Sequence, residues 1–131
     1  MRKLPVILLL WSFSYLLAIE ARPVHAQTSS ASELIEAVNR LRAANGLVLL
    51  EVDSSLMSAA QAHSEYQASI GDVTHTGSNG SQPKDRAAVA GYGGGATFFL
   101  SENIAGGTNL SAAEAVSMWQ GDAPHLNTIL N

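Results

Sequence analysis

The chain of 131 residues contains no cysteine. That absence excludes a disulfide frame, a thiol nucleophile, a cysteine-built zinc cage and a lipidated-cysteine anchor. Positive charge is also scarce: seven Lys and Arg face eleven Asp and Glu, a formal net charge of −4. The basic footprint of a nucleic-acid binder is therefore missing. Only four prolines, eleven glycines and an apolar share of 47% argue against a disordered or collagen-like chain. The length suits one ordinary domain and is too short for two.

What is present begins with a targeting pattern. Arg2 and Lys3 precede an apolar run from Leu4 to Ile19, broken only by Ser12 and Ser14. Val24-His25-Ala26 then places small residues at the −3 and −1 positions of a cleavage site before Gln27. Charge, apolar run and small-residue site in that order predict a signal peptide over residues 1–26. The run falls short of the roughly 20 residues that span a bilayer; an uncleaved amino-terminal anchor is the alternative. Cleavage removes Arg2, Lys3, Arg22 and Glu20, leaving four basic against ten acidic residues, a net charge of −6. An anionic membrane surface or nucleic acid is then a poor partner. Export of a domain without cysteine is more typical of bacteria than of animals or plants.

Residues 27–31 are small and polar and read as a linker. A first helix is expected from about Ser32, with Leu34, Val38 and Leu41 at i, i+4, i+7 forming its inner stripe, Glu36, Arg40 and Arg42 pointing elsewhere, and Asn45-Gly46 as the stop. Asp53 caps a second helix that runs to about Ile70 before Gly71. Its inner stripe is Leu56, Ala59, His63, Tyr66 and Ile70, so His63 reads as a hydrogen-bonded core histidine. Ser81 and Pro83 open a shorter third helix ending by Gly91. Gly93-Gly94-Gly95 is a hinge before Thr97-Phe98-Phe99-Leu100, the only segment that reads as a strand. Ser111 with Glu114 forms a capping box for a fourth helix, with Ala115, Met118 and Trp119 inward. Gly121-Asp122-Ala123-Pro124 breaks that helix, and His125 begins another element. One strand without a partner is unstable, so the chain is either mostly helical or a fragment with its remaining strands beyond Asn131. The fragment is the reading taken.

Three histidines follow the leader. His75 lies after a helix stop, Glu102 after the expected strand, and Asp122 and His125 share a turn. Two imidazoles with one or two carboxylates can hold zinc or copper while keeping water as an open ligand, or can act as general acid and base. They come from four separate segments and have no local metal-ligand spacing, so polar loop residues bonded to backbone are the competing reading. The glycine run is not a phosphate loop, because no strand precedes it and no Lys-Ser/Thr follows. No serine sits in a nucleophile elbow. Arg86 reads as a tie between loops through carboxylate or carbonyl bonds.

Taken together, several segments resemble the CAP superfamily of cysteine-rich secretory, antigen 5 and pathogenesis-related class 1 proteins, most of all its cysteine-free bacterial branch of SCP-domain proteins. The resemblance rests on Val38-Asn39-Arg40-Leu41-Arg42 with Asn45-Gly46-Leu47, Leu56 through Ser64, Thr74 through Gly80, Arg86 with Gly91-Tyr92, Ser101-Glu102-Asn103-Ile104-Ala105, and Trp119 followed by His125-Leu126-Asn127. It covers nearly all of residues 33–130. It implies an α+β fold, a three-layer α-β-α sandwich, here truncated after the fourth helix so that most of the sheet is missing; residues 32–131 would be the incomplete domain. It also implies a cleft with two histidines and two acids: His75, His125 and Glu102, with Asp122 as the second acid. Zinc is the cofactor this set suggests. The function implied is a secreted binding or interaction module, its cleft a candidate divalent-metal site, for an extracellular ligand such as a lipid or cell-wall component. The alternative is a metal-assisted hydrolase, protease or esterase, with Glu102 orienting or deprotonating a bound water. Fold alone does not decide between them.

Overall fold

In the computed structural model, residues 31–131 are described; the expected signal peptide and residues 27–30 of the expected linker lie outside them. Five helices follow in order: α1 (Ala31–Ala44), α2 (Ser54–Ile70), α3 (Pro83–Val89), α4 (Ala112–Gln120) and α5 (Ala123–Leu130). Short 3₁₀ turns occupy Ser78–Gly80 and Tyr92–Gly95.

The helix ends lie where side-chain chemistry favours them. Asp53 accepts from the N–H groups of Ser55 and Leu56, satisfying donors that the first turn of α2 leaves free. Gly71 ends the same helix at φ 67°, a left-handed conformation glycine adopts without a Cβ clash. Ser111 and Glu114 close a reciprocal capping box on α4: the Ser111 hydroxyl accepts from the Glu114 N–H, and the Glu114 carboxylate accepts from the Ser111 N–H. The Ser111 side chain foremost, and its backbone N–H second, hold the Glu114 carboxyl below its ordinary pKa. A lowered folded-state pKa stabilises above the ordinary carboxylate range and loses that contribution as pH falls through the folded value. Glu114→Ala is therefore expected to lower Tm at neutral pH, and the gap to the wild type to close on acidification; thermal melts across the acid range check it.

The apolar core joins α1, α4 and α5. Ala37, Ala112, Ala115, Val116, Trp119 and Ile129 are buried, with Leu34, Val38, Leu41, Leu110 and Leu130 packed around them. Alanines at the α1–α4 contact let the two backbones approach, and Trp119 fills the centre. A second group forms where α2 meets α3. There Ala87 is buried, and Tyr92 packs edge-to-face on Phe98 at 4.9 Å. The glycine run beside this pair is a tight turn rather than a hinge: a Cβ on Gly93, whose φ is +78°, would sit 2.6 Å from the Phe98 ring.

Several sequence expectations differ from the structure: Met118, expected on the inner face of α4, is 53% exposed, and a fifth helix follows the expected fourth. Among the described residues there is no strand and no sheet, so the α+β, three-layer sandwich is not what the chain forms here; the described part is all-helical. Thr97–Leu100 has the β-branched and aromatic pattern of a strand, but no second extended segment pairs with it, and Phe99 is 80% exposed. Without ladder partners, strand propensity does not make a sheet. Ile70, placed on the inner stripe of α2, is exposed at the helix end.

Arg42, expected to point away from the core, is 7% exposed. Its Nε donates to the Val48 carbonyl at 2.9 Å, and its Nη1 donates to the carbonyls of Ile129 and Asn131. It thus caps the last turn of α5, whose carbonyls have no partner within the helix. Arg42→Ala is expected to cost about 2 kcal/mol by stranding these acceptors, read as a lower urea midpoint at unchanged m. Lysine will not restore it, since one ammonium cannot match the planar fork.

Candidate functional site

The loop after α2 is anchored from below by His63. Its ring is 3% exposed, and Nε2 donates to the Thr74 carbonyl at 2.7 Å. Gln67 supports the same residue by accepting from the Thr74 N–H. These bonds fix the chain just before His75.

His75 itself is half exposed, and its Nδ1 is 2.9 Å from Glu102 Oε1. The other carboxylate oxygen of Glu102 accepts from Arg86 Nη2 at 2.7 Å. Arg86 Nη1 donates to the His75 carbonyl at 3.0 Å and the Ser81 carbonyl at 2.9 Å. One guanidinium on α3 therefore holds the His75 loop by its backbone and Glu102 by its charge. Its side chain is only 12% exposed and that of Glu102 20%, so this pair is shielded well beyond an ordinary surface salt bridge. Gly77 makes the approach feasible: a Cβ there would meet Ser81 Oγ at 2.5 Å and Arg86 Nη1 at 3.1 Å.

Asp122 and His125 form a second pair at the start of α5, with the Asp122 carboxylate against His125 Nδ1. Asn103, next to Glu102, donates from Nδ2 to the His125 carbonyl at 2.9 Å. Asn103 thereby ties the α5 start to the Glu102 segment. Sequence reading placed Asn103 beside the site without giving it a role; its amide could have drawn attention only through knowing that His125 lies opposite.

The four candidate residues thus stand as two histidine–carboxylate pairs, His75 with Glu102 and His125 with Asp122. Within the described residues, no three His, Asp or Glu side chains gather in a way that could hold a metal ion. Both oxygens of Glu102 already have partners, one of them a cation. The donor set in this arrangement does not fit a zinc centre, which needs three or four converging ligands.

Beside Glu102 opens a groove of about 520 Å³, floored by Met57 and Ala60 of α2, Leu34 and Ile35 of α1, and Trp119 of α4. Trp119 Nε1 donates to the Ile104 carbonyl at 2.9 Å, which holds segment 102–105 along the groove edge. This volume falls in the range of small-molecule sites. No helix among the described residues is long and apolar enough to cross a membrane.

Residues 35–131 match the family model of CAP, the cysteine-rich secretory protein family. The chain belongs to that family. Comparison with curated proteins and with solved structures gives no match.

Proposed function

We propose that this chain is a secreted binding module of the CAP family, recognising an extracellular ligand through the face built on Glu102 and the groove beside it. The observation that supports a binding role over a hydrolytic one is the state of Glu102. A general base needs a free oxygen within reach of the water it activates. Here one oxygen meets His75 at 2.9 Å and the other accepts from Arg86 at 2.7 Å. A carboxylate held this way organises a surface. The metal-assisted hydrolase asks for an open metal position as well as that free base, and the two separate pairs offer neither.

Secretion rests on the leader pattern of residues 1–26. Mass spectrometry of the exported protein should find Gln27 first, and a retained amino terminus would favour the anchor instead.

The enzymatic alternative is tested by incubating the full chain with p-nitrophenyl esters and with casein, with and without added zinc. The binding reading expects no turnover that depends on Glu102. Turnover abolished by Glu102→Gln would overturn it.

A further inference from the structure

Asn-Gly occurs twice in the chain, at Asn45-Gly46 and at Asn79-Gly80. Such a dipeptide can modify itself, because a glycine without Cβ lets its backbone nitrogen reach the amide carbon of the asparagine before it. Asparagine counts among the thermolabile residues. The structure separates the two copies. Asn45 is tied down: its Nδ2 donates to the Leu41 carbonyl at 2.8 Å and its N–H to the Arg42 carbonyl at 3.0 Å. The N–H groups of Gly46 and Leu47 donate to the Ala43 and Arg42 carbonyls, each at 3.0 Å. Bringing the Gly46 nitrogen onto the Asn45 amide carbon requires unwinding the end of α1.

Asn79 has the opposite setting. Its side chain is exposed and has no hydrogen-bond partner among the described residues. It stands inside the turn Ser78–Gly80 at φ 57° and ψ 23°, a left-handed conformation that Asn tolerates but that still carries strain. The bonds closing that turn are long: the Gly80 N–H reaches the Gly77 carbonyl, and the Ser81 N–H the Ser78 carbonyl, both at 3.2 Å. Leaving this conformation breaks little and relieves the strain at Asn79.

We propose that Asn79-Gly80 is a self-modification site, converting to aspartate and isoaspartate in the folded protein and thereby loosening the hold of Arg86 on the Glu102 face. The Gly80 nitrogen gives its proton to a solvent base and bonds to Asn79 Cγ; the Cγ–Nδ2 bond breaks and ammonia leaves. Water then opens the succinimide ring. Hydrolysis at Cγ restores the ordinary backbone with an aspartate side chain. Hydrolysis at the backbone carbonyl leaves the chain running through Cγ, one carbon longer. Water is the only co-reactant, and nothing is oxidised or reduced. The step does not depend on what the Glu102 face binds.

The longer link falls inside the segment that serves Arg86. The Gly77 N–H donates to the Ser81 carbonyl at 2.8 Å, closing the loop around Asn79, and the same carbonyl accepts from Arg86 Nη1 at 2.9 Å. Gly77 is buried, with Ser81 Oγ 2.5 Å from where a Cβ would stand. An extra backbone carbon between 77 and 81 finds no slack on that side, so the Ser81 carbonyl shifts and Arg86 loses an acceptor.

The test ages the full, ¹⁵N-labelled chain in mildly alkaline and in mildly acidic buffer, with peptide mapping by mass spectrometry reading conversion at both sites. Chain unfolded in urea, where both sites are free, is the reference. Conversion of Asn79 in the folded chain is expected to be at least about tenfold faster than that of Asn45, and similar at the two sites in urea. It runs faster in the alkaline buffer, because the attacking nitrogen must lose its proton. NMR signals of Arg86 Nε and the His75 amide are expected to shift with the isoaspartate fraction. Asn79→Gly has no amide to lose and suits the left-handed turn, so both signals should stay constant through the same ageing. Asn79→Asp supplies the charge without the extra carbon, and its Arg86 signal is expected nearer to the fresh protein than to the aged one. Equal conversion of Asn45 and Asn79 in the folded chain, or an Asn79 that persists while its counterpart in urea is consumed, would overturn the site. Isoaspartate that accumulates with the Arg86 and His75 signals unmoved would overturn its effect on the Glu102 face.

Discussion

Trp119→Ala is expected to destabilise the domain by about 3–5 kcal/mol, the largest single effect of any substitution considered. The indole is 6% exposed and lies in the buried cluster that, among the described residues, joins α1, α4 and α5. Half of the buried cluster is alanine (Ala37, Ala112 and Ala115), which has no side-chain length to reach into the void, and a cavity that collapses poorly costs most. The loss is not only apolar. Trp119 Nε1 also satisfies the Ile104 carbonyl, so truncation frees segment 102–105 and with it the position of Glu102. Trp119→Phe separates the two contributions: it keeps most of the packing and loses the hydrogen bond, with an expected cost of about 1–2 kcal/mol. Urea unfolding followed by far-ultraviolet circular dichroism measures both. A Trp119→Ala midpoint close to wild type would mean that the α1–α4–α5 cluster does not carry the stability.

The second large effect is expected at Arg86. Arg86→Ala removes the donor from a shielded ion pair and strands the Glu102 carboxylate together with the His75 and Ser81 carbonyls. Breaking one side of such a pair costs about 3 kcal/mol at the lower end of the range for buried pairs, the partial exposure of Glu102 keeping it from the upper end. Arg86→Lys is expected to recover little, because three acceptors in different directions suit a planar fork and not a single ammonium. The local consequence is more specific than the stability loss. With Arg86 gone, the His75 loop loses its backbone tether to α3, and the His75–Glu102 contact keeps only the anchors at His63, Gln67 and Trp119. NMR of the His75 ring should then report averaging between positions. An unchanged His75 resonance in a folded Arg86→Ala variant would show that His63 and Gln67 alone fix the loop.

Much of the helical frame can be read directly from the residues. Asp53, Gly71 and the Ser111–Glu114 box mark ends that depend on side-chain hydrogen bonds within four residues, so their chemistry is local and visible in sequence. The burial of His63 follows in the same way from its place on the apolar stripe of α2, and the tie made by Arg86 has the carboxylate and carbonyl partners its chemistry favours. Arg42 was not legible. Periodicity places it off the inner stripe, and the carbonyls that bury it belong to residues near 130, a contact no local pattern encodes. Thr97–Leu100 failed for the opposite reason: its local pattern is that of a strand, but sheet formation is decided by a partner, and none pairs with it among the described residues. The candidate site was half legible. Spacing puts Asp122 and His125 at i, i+3 across a helix start, whereas His75 and Glu102 lie 27 residues apart: residue chemistry groups them only as candidates, and the family resemblance is what implies a shared cleft. Asn103, which connects the two pairs, carries no signature of its own.

On the reading proposed above, the histidine–carboxylate pairs His75–Glu102 and His125–Asp122 organise a binding surface and are not a metal centre. Calorimetric titration of zinc into the full chain, beside the His75→Ala/His125→Ala double variant, tests it most directly. The two isotherms are expected to coincide, with no saturable site that depends on the two histidines. Stoichiometric binding in the wild type that disappears in the double variant would contradict it, and would bring the metal-assisted hydrolase back as the reading to pursue.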